Sequence, residues 1–168
     1  MLSNEYKEYI ENIGAKAKEL ALAKLQQVEP VKNTKDFFKD SIIPSFGGKV
    51  VEQDGAIPAR YTPNEPGRFT ITCDKDASVI DLAHELGHHF LLGHEAACDA
   101  REDPIEEMAA DYFAKSFLLS KKPFMEQVVK NSIDGRCDVV KISEIFDTPY
   151  FIVECRGKDL NIWSRSEV

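Results

Sequence analysis

His84-Glu85-Leu86-Gly87-His88 is an H-E-x-x-H stretch, and its reading decides the fold. Four residues of α-helix turn through about 400° and rise about 6 Å, so positions 84 and 88 leave one face of a helix. Two imidazoles placed this way reach a single Zn²⁺ at about 2.0–2.1 Å, with the glutamate beside the water that completes the site. The pentapeptide also occurs by chance in unrelated chains. Its meaning turns on whether it is helical and whether a third ligand exists.

Both flanks read as helix boundaries. Ser78 and Asp81 form an S-x-x-D capping signal, Asp76 is a competing cap, and Gly93 is a stop. Val79, Leu82, Ala83, Leu86 and Phe90 recur at helical spacing as a buried stripe, with Ile80, His84, His88 and Leu91 on the neighbouring face. His89 falls one residue off the metal face and is expected to be exposed or to stand behind the ligands.

Upstream, Ser3 caps an expected helix to about Gln27, with Tyr6, Ile10, Ile13, Ala17, Leu20 and Ala21 as its apolar stripe. A short helix over 34–40 packs Phe37 and Phe38, and Pro44 with Gly47-Gly48 changes the backbone regime. Three extended segments follow: 49–53, 56–62 and 68–73. Asp54-Gly55 is a hairpin signal between the first two, so a small antiparallel sheet is predicted, with Pro58 on an edge or at a bulge. Downstream, Asp103-Pro104 starts a helix to about Leu119. Further helical pieces include 139–146 and, after Asp147-Thr148-Pro149, 150–156. The fold class is therefore α+β: a small antiparallel sheet on the motif helix, an N-terminal helix, and a helical C-terminal segment.

The 168 residues suit one domain, with 1–120 as helix, sheet and site core and 121–168 as the C-terminal segment. At 43% hydrophobic and 30% charged the composition is that of a soluble globular chain. No apolar run approaches the roughly 20 residues that span a bilayer. The first residues carry no secretory pattern, and Cys73, Cys98, Cys137 and Cys155 are scattered without a C-x-x-C pair. A cytoplasmic location with reduced thiols is expected. The net charge of −8 weighs against nucleic-acid binding through bulk electrostatics.

Two residues compete for third ligand. His94 stands ten residues beyond His84, as in H-E-x-x-H-x-x-G-x-x-H proteases, but the glycine position of that pattern is Leu91 here. Glu107, 19 residues after His88 and in the first turn of the next helix, is preferred. Asp111, four residues further on the same face, is placed to accept the free N–H of a ligating imidazole.

Leu82-Ala83-His84-Glu85-Leu86-Gly87-His88-His89, followed by Glu107-Met108-Ala109-Ala110-Asp111-Tyr112-Phe113-Ala114 and Phe117-Leu118-Leu119, resembles the ImmA/IrrE family of zinc metallopeptidases. The resemblance is specific over 82–119. It implies a zincin-like fold, His84, His88 and Glu107 as zinc ligands, and Glu85 as general base, with Asp111 at the family's Asn/Asp position. It also implies a substrate class: a cognate helix-turn-helix transcriptional repressor, cut once. Ala77-Ser78-Val79-Ile80-Asp81 and Leu119-Ser120 depart from the family's usual lead-in and helix end, and neither departure touches a ligand.

An oxyanion donor is expected in addition, and Tyr61, Tyr112 and Tyr150 qualify by residue type. An extended substrate can add to a free edge of the sheet. Residues 139–156 also read as a helix-turn-helix, but 121–168 holds eight bases and eight acids, and its second helix is mainly apolar. Partner docking or packing is preferred there to reading DNA. The competing class is a non-catalytic zinc-containing module that binds a repressor or DNA without cleaving.

Overall fold

The computed structural model describes residues 1–92 and 103–163. Gly93, His94 and Cys98 lie outside them. Helix α1 (Asn4–Leu25) begins where Ser3 Oγ accepts the Tyr6 N–H at 3.2 Å. Its buried face runs through Ile10, Gly14, Ala17, Lys18, Ala21 and Leu22. Leu20, assigned to the stripe from the sequence, is 49% exposed; at 100° per residue the face passes to Lys18 and Leu22 instead.

Thr34 caps a continuous helical stretch made of α2 (Lys35–Phe37), a π-helical turn (Phe38–Ile42) and α3 (Ile43–Ser45). The predicted second helix is thus present and runs past Pro44. The wider π turn delivers Pro44, which has no N–H to donate, without ending the helix.

Strands β1 (Gly48–Glu52), β2 (Ala59–Pro63) and β3 (Phe69–Cys73) form one sheet in the order β1-β3-β2. Strand β2 pairs antiparallel with β3, but β1 pairs parallel with it, Val50 opposite Ile71. The sheet is therefore mixed, which corrects the antiparallel expectation while leaving the α+β class intact. The physical reason lies in β3, whose Phe69, Ile71 and Cys73 are all buried, whereas β1 is largely exposed. The most apolar alternating strand takes the centre, where both of its backbone edges are paired. The Asp54-Gly55 turn does form: Gly55 sits at φ 75 and donates its N–H to Asp74 Oδ2 at 2.9 Å. It carries the chain across the end of β3 rather than back onto β1. Pro58 precedes β2, and its carbonyl accepts the Asp74 N–H at 3.1 Å.

The motif helix is α4 (Val79–Leu92). Its capping box is closed: Asp81 Oδ2 accepts from both the N–H and the hydroxyl of Ser78 at 2.7 Å, and Asp81 N–H returns to Ser78 Oγ at 3.4 Å. Asp76 does not act as the cap. Helix α5 (Pro104–Leu118) begins with Asp103 Oδ1 accepting the Ile105 N–H at 2.8 Å. The two helices meet at Gly87, where an added Cβ would stand 3.1 Å from both Cα and O of Ala110. A side chain at 87 would require α5 to give by a few tenths of an ångström, so glycine there sets how close α5 comes to the histidines of α4.

The remainder is α6 (Lys121–Lys130), a hairpin of β4 (Ser132–Ile133) and β5 (Arg136–Cys137), α7 (Val139–Phe146) and α8 (Tyr150–Asp159). Asp134 and Gly135, both at positive φ, make the hairpin turn. Arg156 of α8 is fully buried. Its guanidinium bonds Glu11 of α1, the Ser116 hydroxyl at 3.3 Å and the Leu119 carbonyl at 2.9 Å. Nearby, buried Lys18 donates to the Leu118 carbonyl at 2.9 Å and pairs with Glu29 at 2.8 Å. No helix of the described residues is long and apolar enough to cross a membrane.

Candidate metal centre

Helix α4 carries two interleaved pairs of residues one turn apart. His84 and His88 face α5, while Glu85 and His89, rotated by about 100°, face strand β2. The α5 side holds the donor cluster. His84 Nε2 and His88 Nε2 are 3.1 Å apart. Glu107 spans them, with Oε2 3.2 Å from His84 Nε2 and Oε1 3.3 Å from His88 Nε2. Tetrahedral bonds of about 2.0–2.1 Å set ligand atoms about 3.3–3.4 Å apart, so each of these separations has the scale of a ligand–ligand edge in a zinc site, with a different Glu107 oxygen facing each histidine. The chemistry of the donor set agrees: imidazole nitrogens and a carboxylate bring lone pairs to one point, which a cation reconciles. His84, Glu85 and His88 also form a group whose ligand-type atoms lie within 4.8 Å of one another.

Asp111 stands one turn beyond Glu107 on α5, with Oδ1 2.7 Å from His84 Nδ1. A proton on Nδ1 is shared with that carboxylate, leaving the Nε2 lone pair directed at the cluster. Burial works against charge on His84. The hydrogen bond and charge of Asp111, with Glu85 and Glu107 adding, outweigh it and raise the imidazole pKa above its ordinary 6.5.

The β2 side holds Glu85, which is 7% exposed. Its Oε2 accepts the backbone N–H of Tyr61 at 2.5 Å. Strand alternation explains that bond: Pro58 pairs inward with β3, so the main-chain groups of Ala59 and Tyr61 point away from β3 toward the sheet's outer edge. His89 stacks on Phe69, centroids 4.1 Å apart, and its Nδ1 lies 3.2 Å from the Tyr61 hydroxyl. Burial lowers the His89 pKa.

The structure thus brings His84, Glu85, His88, Glu107 and Asp111 together. His94, the other candidate for third ligand, lies outside the described residues. Of the three tyrosines singled out by type, Tyr61 is the one against α4, with its hydroxyl directed to His89. Tyr112 packs with Lys7, Lys115 and Arg156 about its ring, and Tyr150 stands exposed on α8. Sequence reasoning missed the partnership of His89 with Tyr61. The signal was present in the four-residue step from Glu85 to His89, which repeats that from His84 to His88.

Residues 74–154 match a peptidase family model described as the IrrE N-terminal-like domain. No curated protein matches the chain. Among solved structures, one titled "Mycobacterium tuberculosis transcriptional regulator" has the same fold, with a TM-score of 0.62 at 17% identity over 97% of this chain. The chain spans 50% of that structure's length.

Proposed function

We propose that this chain, whose residues 74–154 match the model of the IrrE N-terminal-like peptidase domain, is a zinc-dependent endopeptidase of that family. The observation that carries the reading is the triangle of His84, His88 and Glu107 with Glu85 directly beside it. His84 Nε2, His88 Nε2 and the Glu107 carboxylate would hold the metal, with Asp111 fixing the His84 tautomer. Zinc bound there would supply Lewis acidity, making water a nucleophile near neutral pH and polarising a peptide carbonyl.

Glu85 moves the proton. Its Oε2 accepts the Tyr61 N–H, and the carboxylate is assigned to take a proton from attacking water. As the water oxygen bonds the carbonyl carbon and the C–N bond breaks, the carboxylate returns that proton to the departing amine. A carboxylate nine-tenths buried and anchored at one oxygen is oriented before the reaction begins.

The substrate we propose is a helix-turn-helix transcriptional repressor, cleaved within an extended segment laid along the outer edge of β2. The resemblance of residues 82–119 to the ImmA/IrrE family supports it. The DNA-binding alternative draws little from α8, which turns Tyr150, Phe151 and Cys155 outward and buries Arg156.

The test is incubation of the zinc-loaded chain with the helix-turn-helix proteins of its own genome, starting with any encoded beside it, and mass mapping of the products. One cut in one such protein, lost in Glu85→Gln while zinc stays bound, is expected. A Glu85→Gln variant as active as the parent removes the assigned base. Binding of such a protein without any cut selects the non-catalytic module.

A further inference from the structure

The proposed mechanism uses one of the two residue pairs on α4 and half of the other. His84 and His88 hold the metal, and Glu85 moves the proton. His89, one turn beyond Glu85 on the same face, is so far unused, yet it contacts both β2 and β3 beside the centre. One side of its ring stacks on Phe69 of the central strand, centroids 4.1 Å apart with 25° between the planes. Its Nδ1 reaches the Tyr61 hydroxyl on the neighbouring strand at 3.2 Å. Tyr61 is 4% exposed and Phe69 1% exposed, so both partners of His89 are core residues.

Tyr61 is consequently held to α4 at two points a helical turn apart. Its side-chain hydroxyl meets His89, and its main-chain N–H meets Glu85 Oε2. These contacts are coupled through one residue. The hydroxyl contact sets how far β2 stands from α4, and that spacing places the N–H on the carboxylate. Among the described residues β2 is an edge strand, with no further strand paired to its outer side.

We propose that His89 is a positioning residue for Glu85, acting through Tyr61: it fixes the edge strand against the motif helix so that the Tyr61 N–H orients the carboxylate. The H-E-x-x-H-H run then has two four-residue steps with two tasks, 84 to 88 for the metal and 85 to 89 for the proton carrier. This rests on the assignment of Glu85 as the general base. The bond of Tyr61 N–H to Glu85 is a feature of the fold that can be read without turnover.

The experiment uses the full chain loaded with Zn²⁺ and reads the Tyr61 amide proton by NMR, in chemical shift and in hydrogen exchange. A hydrogen bond to a carboxylate places that proton downfield and protects it. Two variants remove the His89 contact while keeping the rings: His89→Phe preserves the stack on Phe69, and Tyr61→Phe removes only the hydroxyl. Each should move the Tyr61 amide upfield and raise its exchange at least about tenfold relative to Thr62, whose N–H faces β3, with zinc affinity unchanged. Turnover of a proteome-derived peptide library should fall about 10- to 100-fold, the scale on which small displacements of a catalytic group act. His89→Asn, whose amide reaches the place of Nδ1, should restore part of both signals. If His89→Phe fails to fold, Tyr61→Phe carries the test alone.

A Tyr61 amide unchanged in shift and exchange in Tyr61→Phe overturns the proposal, because the hydroxyl contact then positions nothing. Loss of zinc in parallel with the amide signal also overturns it, placing His89 with the ligands. Failure of the underlying reading looks different: Glu85→Gln would retain turnover whatever His89 does.

Discussion

His84 Nδ1 and Asp111 Oδ1 lie 2.7 Å apart, joining the histidine face of α4 to the second turn of α5. The bond commits the imidazole to one tautomer and leaves Nε2 for the proposed metal. Asp111→Ala should therefore weaken zinc binding about 10- to 100-fold, read by competition with a chromophoric chelator. Asp111→Asn should cost less, since its amide oxygen still accepts the Nδ1 proton. Equal losses in the two variants would mean that charge, not the hydrogen bond, is what matters.

Gly87 sets the distance between the same two helices. An added Cβ meets Ala110 Cα and O at 3.1 Å and Phe113 Cδ1 at 3.2 Å. Two of these atoms are backbone, so α5 itself has to give way. In Gly87→Ala the helix-propensity gain of about 1 kcal/mol opposes an overpacking cost of about 1–3 kcal/mol. Thermal stability should change little, but zinc affinity should fall several-fold as Glu107 and Asp111 move off. Calorimetry and metal titration on one sample separate the two effects, and an unchanged affinity would show that α5 adjusts without moving its carboxylates.

The parts of this molecule that were legible in its sequence are those set by short-range chemistry. Ser3, Ser78 with Asp81, and Asp103 act as caps where they were expected, because a cap is a hydrogen bond over two or three residues. The approach of Glu107 and Asp111 to His84 was legible too, since helix starts and four-residue steps specify it. The order of the sheet was not. Asp54-Gly55 forms its turn, yet whether β1 then meets β2 or β3 is decided by which strand buries most, a comparison across the whole layer. Lys18 and Arg156 were illegible for a different reason. Each looks like surface until Glu29 and Glu11 arrive from distant positions to bury it.

The buried guanidinium of Arg156 ties α8 to α1 and α5. Removing one partner of a buried ion pair leaves the other desolvated and costs about 3–5 kcal/mol. Arg156→Met should fall in that range in a denaturant midpoint, with the loss concentrated in Glu11, Ser116 and the Leu119 carbonyl. In the Glu11→Gln background, the further loss on Arg156→Met should be smaller, because the carboxylate that needs the guanidinium is already gone. Additive losses would show that the pair is not coupled.

Lys18 supplies a pH test with a definite sign. Its burial lowers the ammonium pKa below the ordinary 10.5; Glu29 opposes that shift, and Arg156 adds to it. Between the folded value and 10.5 the unfolded chain holds more protons than the folded one, so stability gains from rising pH in that window. Below the folded value both states are protonated, and the burden of burying the charge is present in full. The stability of the parent minus that of Lys18→Met should therefore increase as pH is raised toward 10.5, measured by urea unfolding at fixed ionic strength. A difference that shrinks with pH would mean that Glu29, 2.8 Å away, outweighs burial and holds the proton on Lys18.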